Sequence, residues 1–232
     1  MLRFVLFFFT LSVSAVVQGS VVIMGTRVVY PATQKSISIR LNNDNESPAL
    51  VQSWLDDGDA AAPPESVHVP FIITPPIFRM EPKSGQTIRI VYTGESLPQD
   101  RESVFYFNLR EVPPKSTDGN TLQIALQSRV KLFYRPNSIL SEAETKWTHK
   151  VTLTKTAQGY RVNNITPFNL TIIGFGNSKA AAEKNPFDVV MVPPKSTHDI
   201  ASSILSTPYL TYINDYGGKP SLVFRCQGED RK

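Results

Sequence analysis

The stretch "LQIALQSRVKLFYRPN", Leu122–Asn137, decides how this sequence is interpreted. Apolar and polar residues alternate along it, which is typical of a β-strand. The same stretch carries three cations, Arg129, Lys131 and Arg135. Cations on a strand that is this apolar need anionic partners, either in the same chain or in another molecule.

Both faces of this strand are largely apolar near its end. Because side chains alternate along a strand, Lys131 and Arg135 share one face with Phe133. The opposite face carries Val130, Leu132 and Tyr134. We therefore expect both faces to be covered, with the two cations at a junction between domains.

Acidic partners are available for only one of these cations. Glu102 and Asp215 are the candidate partners of Arg135, which leaves Lys131 over, together with Arg27 from "GTRVVYP". Two cations in a cleft without acidic partners predict an anion site, and a carboxylate suits that geometry.

The rest of the chain indicates an all-β protein of two domains. Its 232 residues are 41% hydrophobic and 19% charged, which is a globular composition. Short strand patterns separated by turn residues recur along the chain, as in β-sandwiches. The segment Arg135–Trp147 interrupts them, and we place the boundary between domains 20–140 and 141–232. Only Lys179–Pro186 has a helical pattern.

The N-terminal segment differs from everything that follows. Residues 1–19 combine one cation, Arg3, an apolar run over Phe4–Val17 and small residues before Ser20, which predicts a cleaved signal peptide and export. A membrane anchor is disfavoured because this run is short for a span. The single Cys226 excludes an internal disulfide, and a tolerated thiol is favoured over a reactive one.

No constellation of residues indicates catalysis or a cofactor. The histidines His68, His149 and His198 lack a metal-ligand spacing, and there is no GxSxG motif. "GFGNSK", Gly174–Lys179, lacks the spacing of a phosphate loop, and we interpret it as a hairpin turn. The net charge of +4 comes without a basic run, so the sequence predicts no enzyme, no metal, no ATP site and no nucleic-acid partner.

The paired prolines in "ITPPIF" leave the backbone open at one point. A cis peptide bond at Pro75 or at Pro76 and an all-trans turn are equally compatible with the sequence.

Several long stretches resemble the PapD-type periplasmic chaperones of bacterial pilus assembly. They are "NDN" (43–45), "TPPIFRMEP" (74–82), "LPQDRESVFYFNLREVPP" (97–114), "LQIALQSRVKLFYRP" (122–136) and "TPYLTYINDYGG" (207–218). They lie in both halves of the chain, so the resemblance covers it from Ser20 onwards. The loop Lys115–Thr121 resembles that of the short-loop branch, whose clients build rod-like adhesive pili.

The resemblance implies a fold and a function. The family has two immunoglobulin-like β-sandwich domains in a boomerang arrangement. Such a chaperone binds an exported pilin subunit whose own fold lacks its last strand, and lends it a strand, which is donor-strand complementation. The subunit is then handed to an outer-membrane usher, and no cofactor is involved.

The resemblance also implies roles for individual residues. The donor strand matches Leu122–Val130, with the side chains Leu122, Ile124, Leu126 and Val130 forming the inserted row. The cations that hold the pilin's C-terminal carboxylate match Arg27 and Lys131. The ion pairs between the domains match Glu102, Arg135 and Asp215. Because the donor row is apolar, self-association of the free chain through this edge is a further hypothesis.

Two other classes of function are disfavoured. An exported adhesin or pilus component would need a donor extension of its own, and Ser20 is too close to the first predicted strand to allow one. An exported hydrolase would need a nucleophile beside a base, and the sequence offers no such pair.

Overall fold

The protein is described by a computed structural model that covers residues 20–112, 124–227 and 230–231. Strands dominate these residues and form two β-sandwiches, one after the other along the chain.

The first sandwich extends to Arg135. Its strands are β1 (Val21–Ile23), β2 (Arg27–Pro31), β3 (Ile37–Asn43), β4 (Ala49–Asp56), β5 (Phe71–Thr74), β6 (Ile77–Met80), β7 (Gly85–Tyr92), β8 (Ser103–Val112) and β9 (Leu126–Arg135), with a 3-10 helix at Pro64–Ser66. One sheet has the order β1-β3-β7-β5 and the other β2-β9-β8-β4-β6. The alternation in β3 shows why they pack, since Ile37, Ile39 and Leu41 are buried while Ser38 and Arg40 are exposed.

The second sandwich follows a short helical segment. Its elements are 3-10 turns at Asn137–Ile139 and Trp147–Lys150, helices α1 (Leu140–Ala143) and α2 (Lys179–Lys184), and strands β10 (Thr152–Thr156), β11 (Gly159–Asn164), β12 (Leu170–Gly176), β13 (Val190–Val192), β14 (Ser196–Ala201), β15 (Tyr209–Tyr212), β16 (Ser221–Val223), β17 (Cys226–Gln227) and β18 (Asp230–Arg231). The sheets have the orders β14-β11-β10-β18-β17 and β13-β12-β15-β16.

Each sandwich has an apolar core of its own. Val51, Phe107 and Leu132 belong to the first core, and Leu153 and Ile172 to the second. This confirms the predicted all-β fold with two sandwich domains. The boundary at residues 140 and 141 stays a prediction.

The stretch "SVVIMGTRVVYP" (Ser20–Pro31) has the pattern of one strand in the sequence, but the structure divides it between the two sheets of the first sandwich. β1 pairs antiparallel with β3, whereas β2 pairs in parallel with β9. The chain crosses over at Met24–Thr26, where Gly25 has a φ of +138° that other residues rarely adopt. The crossing decides which part of β9 has a neighbour on the β2 side.

The structure decides one open alternative and corrects one other expectation. The Thr74–Pro75 peptide is cis, and strands β5 and β6 lie on either side of the paired prolines. Gly174 lies within β12 rather than in a hairpin turn. Helix α2, which follows this strand, packs so closely against it that a Cβ on Gly174 would lie 1.6 Å from the Ala182 carbonyl oxygen. The predicted helix is confirmed as α2.

Several predicted features lie outside the described residues. These are the signal peptide at 1–19, the short loop Lys115–Thr121, Leu122 of the donor row and the surroundings of the Cys226 thiol. In the part of the chain that is described, no helix is long and apolar enough to cross a membrane.

Candidate functional site

The first half of β9 has a neighbour on one side only. β8 pairs with β9 from Leu126 to Tyr134, but β2 begins to pair with it only at Lys131. Among the described strands none pairs with residues 126–130 on that second side, because β1 has crossed to the other sheet. A cleft of about 350 Å³, lined partly by Val21, Ile23, Ser128 and Val130, separates β1 from this edge. We call residues 126–130 the open edge.

The side chains of the predicted donor row pass from solvent into the core. Ile124 is 63% exposed and Leu126 51% exposed, and Ser128 is also exposed. Val130 is half-buried and packs against the first core, to which Leu132 belongs. The row is therefore apolar apart from Ser128, and its exposed end has no cover among the described residues.

The strand begins later than predicted. Ile124 and Ala125 precede it without regular structure, and β9 starts at Leu126, opposite Glu111 of β8. β8 ends at Val112, just before Pro113 and Pro114, which have no N–H to donate to a ladder.

Arg27 and Lys131 lie side by side where the open edge ends. They are direct partners in the parallel pairing of β2 and β9, so their side chains leave the same face of the sheet on strands about 4.8 Å apart. Arg27 Nη1 donates to the Ile213 carbonyl oxygen at 3.0 Å, and the guanidinium lies 5.5 Å from the Phe133 ring centroid. Arg27 Nε is buried and has no hydrogen-bond partner in the described structure.

Lys131 makes no hydrogen bond or ion pair with any described residue. Burial lowers the pKa of Lys131, and the neighbouring charge of Arg27 lowers it further. Burial also lowers the pKa of Arg27, while the charges of Asp215 and Glu102 act in the opposite direction. The two adjacent cations would both be stabilised by an anion between them, which is what the sequence predicted for this place.

Arg135 contacts acidic residues of both sandwiches. Its Nε and Nη2 donate to Glu102 Oε1 at 3.0 and 2.7 Å, and its Nη1 and Nη2 donate to the Asp215 carboxylate at 2.9 and 3.2 Å. The guanidinium also lies 5.1 Å from the ring centroid of Phe168, in the second sandwich. Glu102 and Arg135 are both buried.

Sequence reasoning missed a fourth member of this network. The backbone N–H and the side-chain Nδ2 of Asn169 donate to Glu102 Oε2 at 2.8 and 3.0 Å. Burial raises the pKa of Glu102, and the charge of Arg135 and the bonds from Asn169 counteract this rise. A neutral amide 67 positions away along the chain gives no signal in the sequence that could have identified it.

Arg129 has a partner that the sequence did not reveal. Arg129 Nε donates to Asp56 Oδ2 at 3.1 Å, and Nη2 makes a second bond to Asp56 Oδ1. Asn108 Nδ2 donates to the same Asp56 Oδ2 at 2.6 Å, and the Tyr106 ring centroid lies 3.8 Å from the guanidinium carbon. Burial pushes the pKa of Asp56 upward, but the bonds from Arg129, Asn108 and the Gly58 N–H outweigh burial and hold it below its usual value.

The three cations of β9 thus differ in their surroundings. Arg129 and Arg135 are each neutralised by acidic groups of the chain, whereas Lys131 between them is not. No group of three or more residues suited to a metal ion is found among the described residues. Among the described residues, the site therefore offers an unpaired strand edge that ends at two cations, Arg27 and Lys131, neither of which forms an ion pair.

Both halves of the chain match domains of one known protein family. Residues 20–140 match the model of the N-terminal domain of PapD, described as a pili and flagellar-assembly chaperone, and residues 146–224 match the model of the C-terminal domain of the pili assembly chaperone PapD. The chain belongs to the PapD-like family of pilus-assembly chaperones. The family predicted from the sequence, and with it a function as a chaperone in pilus assembly, is confirmed.

Individual relatives match over most of their length. The chain is 44% identical over 206 residues to the chaperone protein PapD of Escherichia coli, which covers 88% of this chain and 85% of that protein. The crystal structure of the Pseudomonas aeruginosa CupB2 chaperone has 34% identity and a TM-score of 0.74, covering 89% of this chain and 100% of the other. A chain of the Salmonella enterica complex between SafA pilin and SafB chaperone has 26% identity and a TM-score of 0.75, covering 90% and 97%.

The network at the domain junction gives the first prediction. Replacing Glu102 by Ala leaves the buried Arg135 with Asp215 alone and removes the acceptor of two Asn169 bonds, so we expect a loss of about 3–5 kcal/mol in the free energy of unfolding, the cost typical of breaking a buried pair. Urea unfolding measures it. Asp100→Ala is the control, because it removes an exposed carboxylate paired with Arg101 and Lys195, and should leave the urea midpoint unchanged. Equal midpoints for both variants would contradict the role given to Glu102.

Proposed function

We propose that this chaperone captures a pilin subunit by adding residues 122–130 to the subunit's sheet, with Arg27 and Lys131 holding the subunit's C-terminal carboxylate. The inserted side chains are those of Leu122, Ile124, Leu126 and Val130. The Salmonella relative was solved with a pilin, which supports a pilin as the client here.

One observation carries the proposal, namely that the open edge ends at two unpaired cations. An incoming strand can pair with residues 126–130, but β2 already pairs with residues 131–135. The incoming strand must therefore stop at Arg27, and a chain that stops there brings a terminal carboxylate to the two cations. Since its carboxyl end lies at Lys131, the incoming strand runs in the same direction as β9.

The energetics favour a strand that has an apolar groove to fill. Each large apolar side chain of the row contributes about 1.5–3 kcal/mol when it is fully buried, so three of them contribute roughly 5–8 kcal/mol before the costs of association. The backbone hydrogen bonds of the open edge add to this. The alternation of the row opposes a slip by one residue, which would turn every donor side chain to the wrong face, and the carboxylate fixes the position along the strand.

The setting of this reaction follows from the same proposal. Residues 1–19 export the chain to the periplasm, and the anchor lies where the domains 20–140 and 141–232 meet, since Arg27 donates to the Ile213 carbonyl oxygen. The loaded chaperone delivers its subunit to an outer-membrane usher, where another subunit's extension replaces the donor strand. This exchange of one strand for another needs no ATP.

The anchor is tested by removing each cation. We expect Lys131→Ala and Arg27→Ala to fold normally and to lose co-purification with the pilin, because the carboxylate then lacks half of its counter-charge. Circular dichroism checks the fold, and periplasmic co-expression followed by affinity purification measures capture. Lys155→Ala, at an exposed lysine on β10, is the matched control and should bind as the unaltered chain does. Undiminished capture by both anchor variants would show that the anchor is elsewhere.

The lowered pKa of Lys131 predicts a dependence on pH. Only the protonated amine attracts a carboxylate, so affinity for the pilin should fall as the pH rises towards and through the pKa of Lys131, which lies below its ordinary value. A titration of affinity between about pH 7 and pH 10 measures the fall. Lys131→Arg is the control, since an arginine stays protonated throughout and its affinity should not fall. A parallel fall in both proteins would exclude Lys131 as the titrating group.

The donor row is tested with a charge at its exposed end. Ile124→Asp should weaken capture roughly 10–100-fold, the equivalent of about 1.5–3 kcal/mol of lost burial, while the melting temperature of the free chaperone stays the same because Ile124 is 63% exposed. Ile165→Asp, at an equally exposed isoleucine of the second sandwich, should leave capture unchanged. A large fall in melting temperature for Ile124→Asp would mean that Ile124 belongs to the chaperone's own core.

A further inference from the structure

The apolar row alone does not define the register of a bound client. Because side chains alternate with a period of two, a slip by one residue is excluded, but a slip by two residues keeps every side chain on its proper face. Such a slip would move the client's carboxylate from Lys131 to Phe133 or to Arg129. Something other than the alternation must exclude these two positions.

Phe133 is excluded by its surroundings. It is 2% exposed, has no charge, and lies where β2 already occupies the edge of β9. The competing position is Arg129. A guanidinium binds a carboxylate through two parallel hydrogen bonds, so an unpaired Arg129 would attract the client's terminus at least as well as Lys131 does.

Arg129 already has a partner, because Asp56 accepts both of the parallel hydrogen bonds that its guanidinium can offer to a carboxylate. Arg129 Nε and Nη2 both donate to the Asp56 carboxylate. Asp56 is itself fixed, since its side chain is 2% exposed and receives further bonds from Asn108 Nδ2 at 2.6 Å and from the Gly58 N–H at 2.8 Å. The Tyr106 ring covers one face of the guanidinium. A client carboxylate could bind Arg129 only by displacing a buried carboxylate of the chain.

We infer that Asp56 selects the register of the client by masking Arg129, so that the terminal carboxylate docks only at Lys131 and Arg27. This inference rests on the proposed function. Asp56 does not touch the client, and it is a positioning residue that acts through Arg129. Its effect is to make Lys131 the one cation of this face of β9 that is not neutralised within the described structure.

The test asks whether an unmasked Arg129 can replace Lys131. Asp56→Asn keeps the shape of the side chain and removes its charge. The probe is a pilin subunit from the same gene cluster, co-expressed with each variant and purified as a one-to-one complex. We expect Lys131→Ala to lose capture. The double variant D56N/K131A should bind the pilin at least about tenfold more tightly than Lys131→Ala does, which is the low end for a charge-assisted hydrogen bond. The triple variant D56N/R129Q/K131A should lose capture again.

A second readout reports the register directly. A photo-crosslinker at residue 128, read by mass spectrometry, should join D56N/K131A to a client residue two positions away from the one that it reaches in the unaltered chain. Asp199→Asn is the matched control, because it releases Arg161 from a similar cross-strand pair in the second sandwich. D199N/K131A should regain nothing.

The outcomes separate this inference from the proposed function. Capture by Lys131→Ala at the unaltered level would overturn the anchor itself. Loss of capture by Lys131→Ala, with no regain by a folded D56N/K131A, would overturn the masking role of Asp56 and leave the anchor standing. Capture that is regained even by D56N/R129Q/K131A would also overturn the masking role of Asp56.

A variant that leaves Asp56 in place covers a failure of D56N to fold. Gln127 is exposed and lies on the same face as Arg129 and Lys131, one further pair of residues along β9. Gln127→Lys places a cation there with no carboxylate to mask it. If Arg129 fails to bind the client because Asp56 masks it, Q127K/K131A should regain capture with the crosslink moved by four residues. No regain by this variant would contradict the masking role of Asp56.

Discussion

The open backbone edge of β9 between Leu126 and Val130 is the constraint on which the rest of the structure depends. Unpaired N–H and C=O groups beside exposed apolar side chains are a hazard that soluble proteins usually cover, because they invite pairing with other chains. Here the crossing of the N-terminal strand at Gly25 leaves the edge open, and β2 closes it again at Lys131. The edge thus has a definite end, which suits a chaperone whose client must be bound in one position. Self-association of the free chain through this edge stays a prediction.

The charges around the edge complete this definition. A buried ion pair contributes little net stability, because the cost of desolvating both groups offsets their attraction. The pairs of Arg129 and Arg135 are better understood as fixing positions. Arg135 joins the two sandwiches through Glu102 and Asp215, and the pairing of Arg129 leaves Lys131 as the cation of this strand that has no acidic partner among the described residues.

The all-β fold and the family could be predicted from the sequence, because both depend on local patterns and on resemblance to known proteins. The two sandwiches follow from the alternation of their strands, and the pairing of β2 with β9 places Arg27 beside Lys131. The split of the first strand was not predictable, because its alternation continues through Gly25 and only the pairing with other strands decides where it crosses. The hydrogen bond from Arg129 to Asp56 spans 73 positions, and no local rule connects the two residues.

Hydrogen exchange along β9 tests the central claim most directly. In the free chaperone, the amides of residues 131–135 should exchange slowly because β2 and β8 pair with both sides of the strand, whereas those amides of residues 126–130 that face the open edge should exchange quickly. Binding of a pilin subunit should slow exchange at these open-edge amides. If the bound complex slowed exchange elsewhere and left residues 126–130 as fast as before, this edge would not be the one that the client occupies.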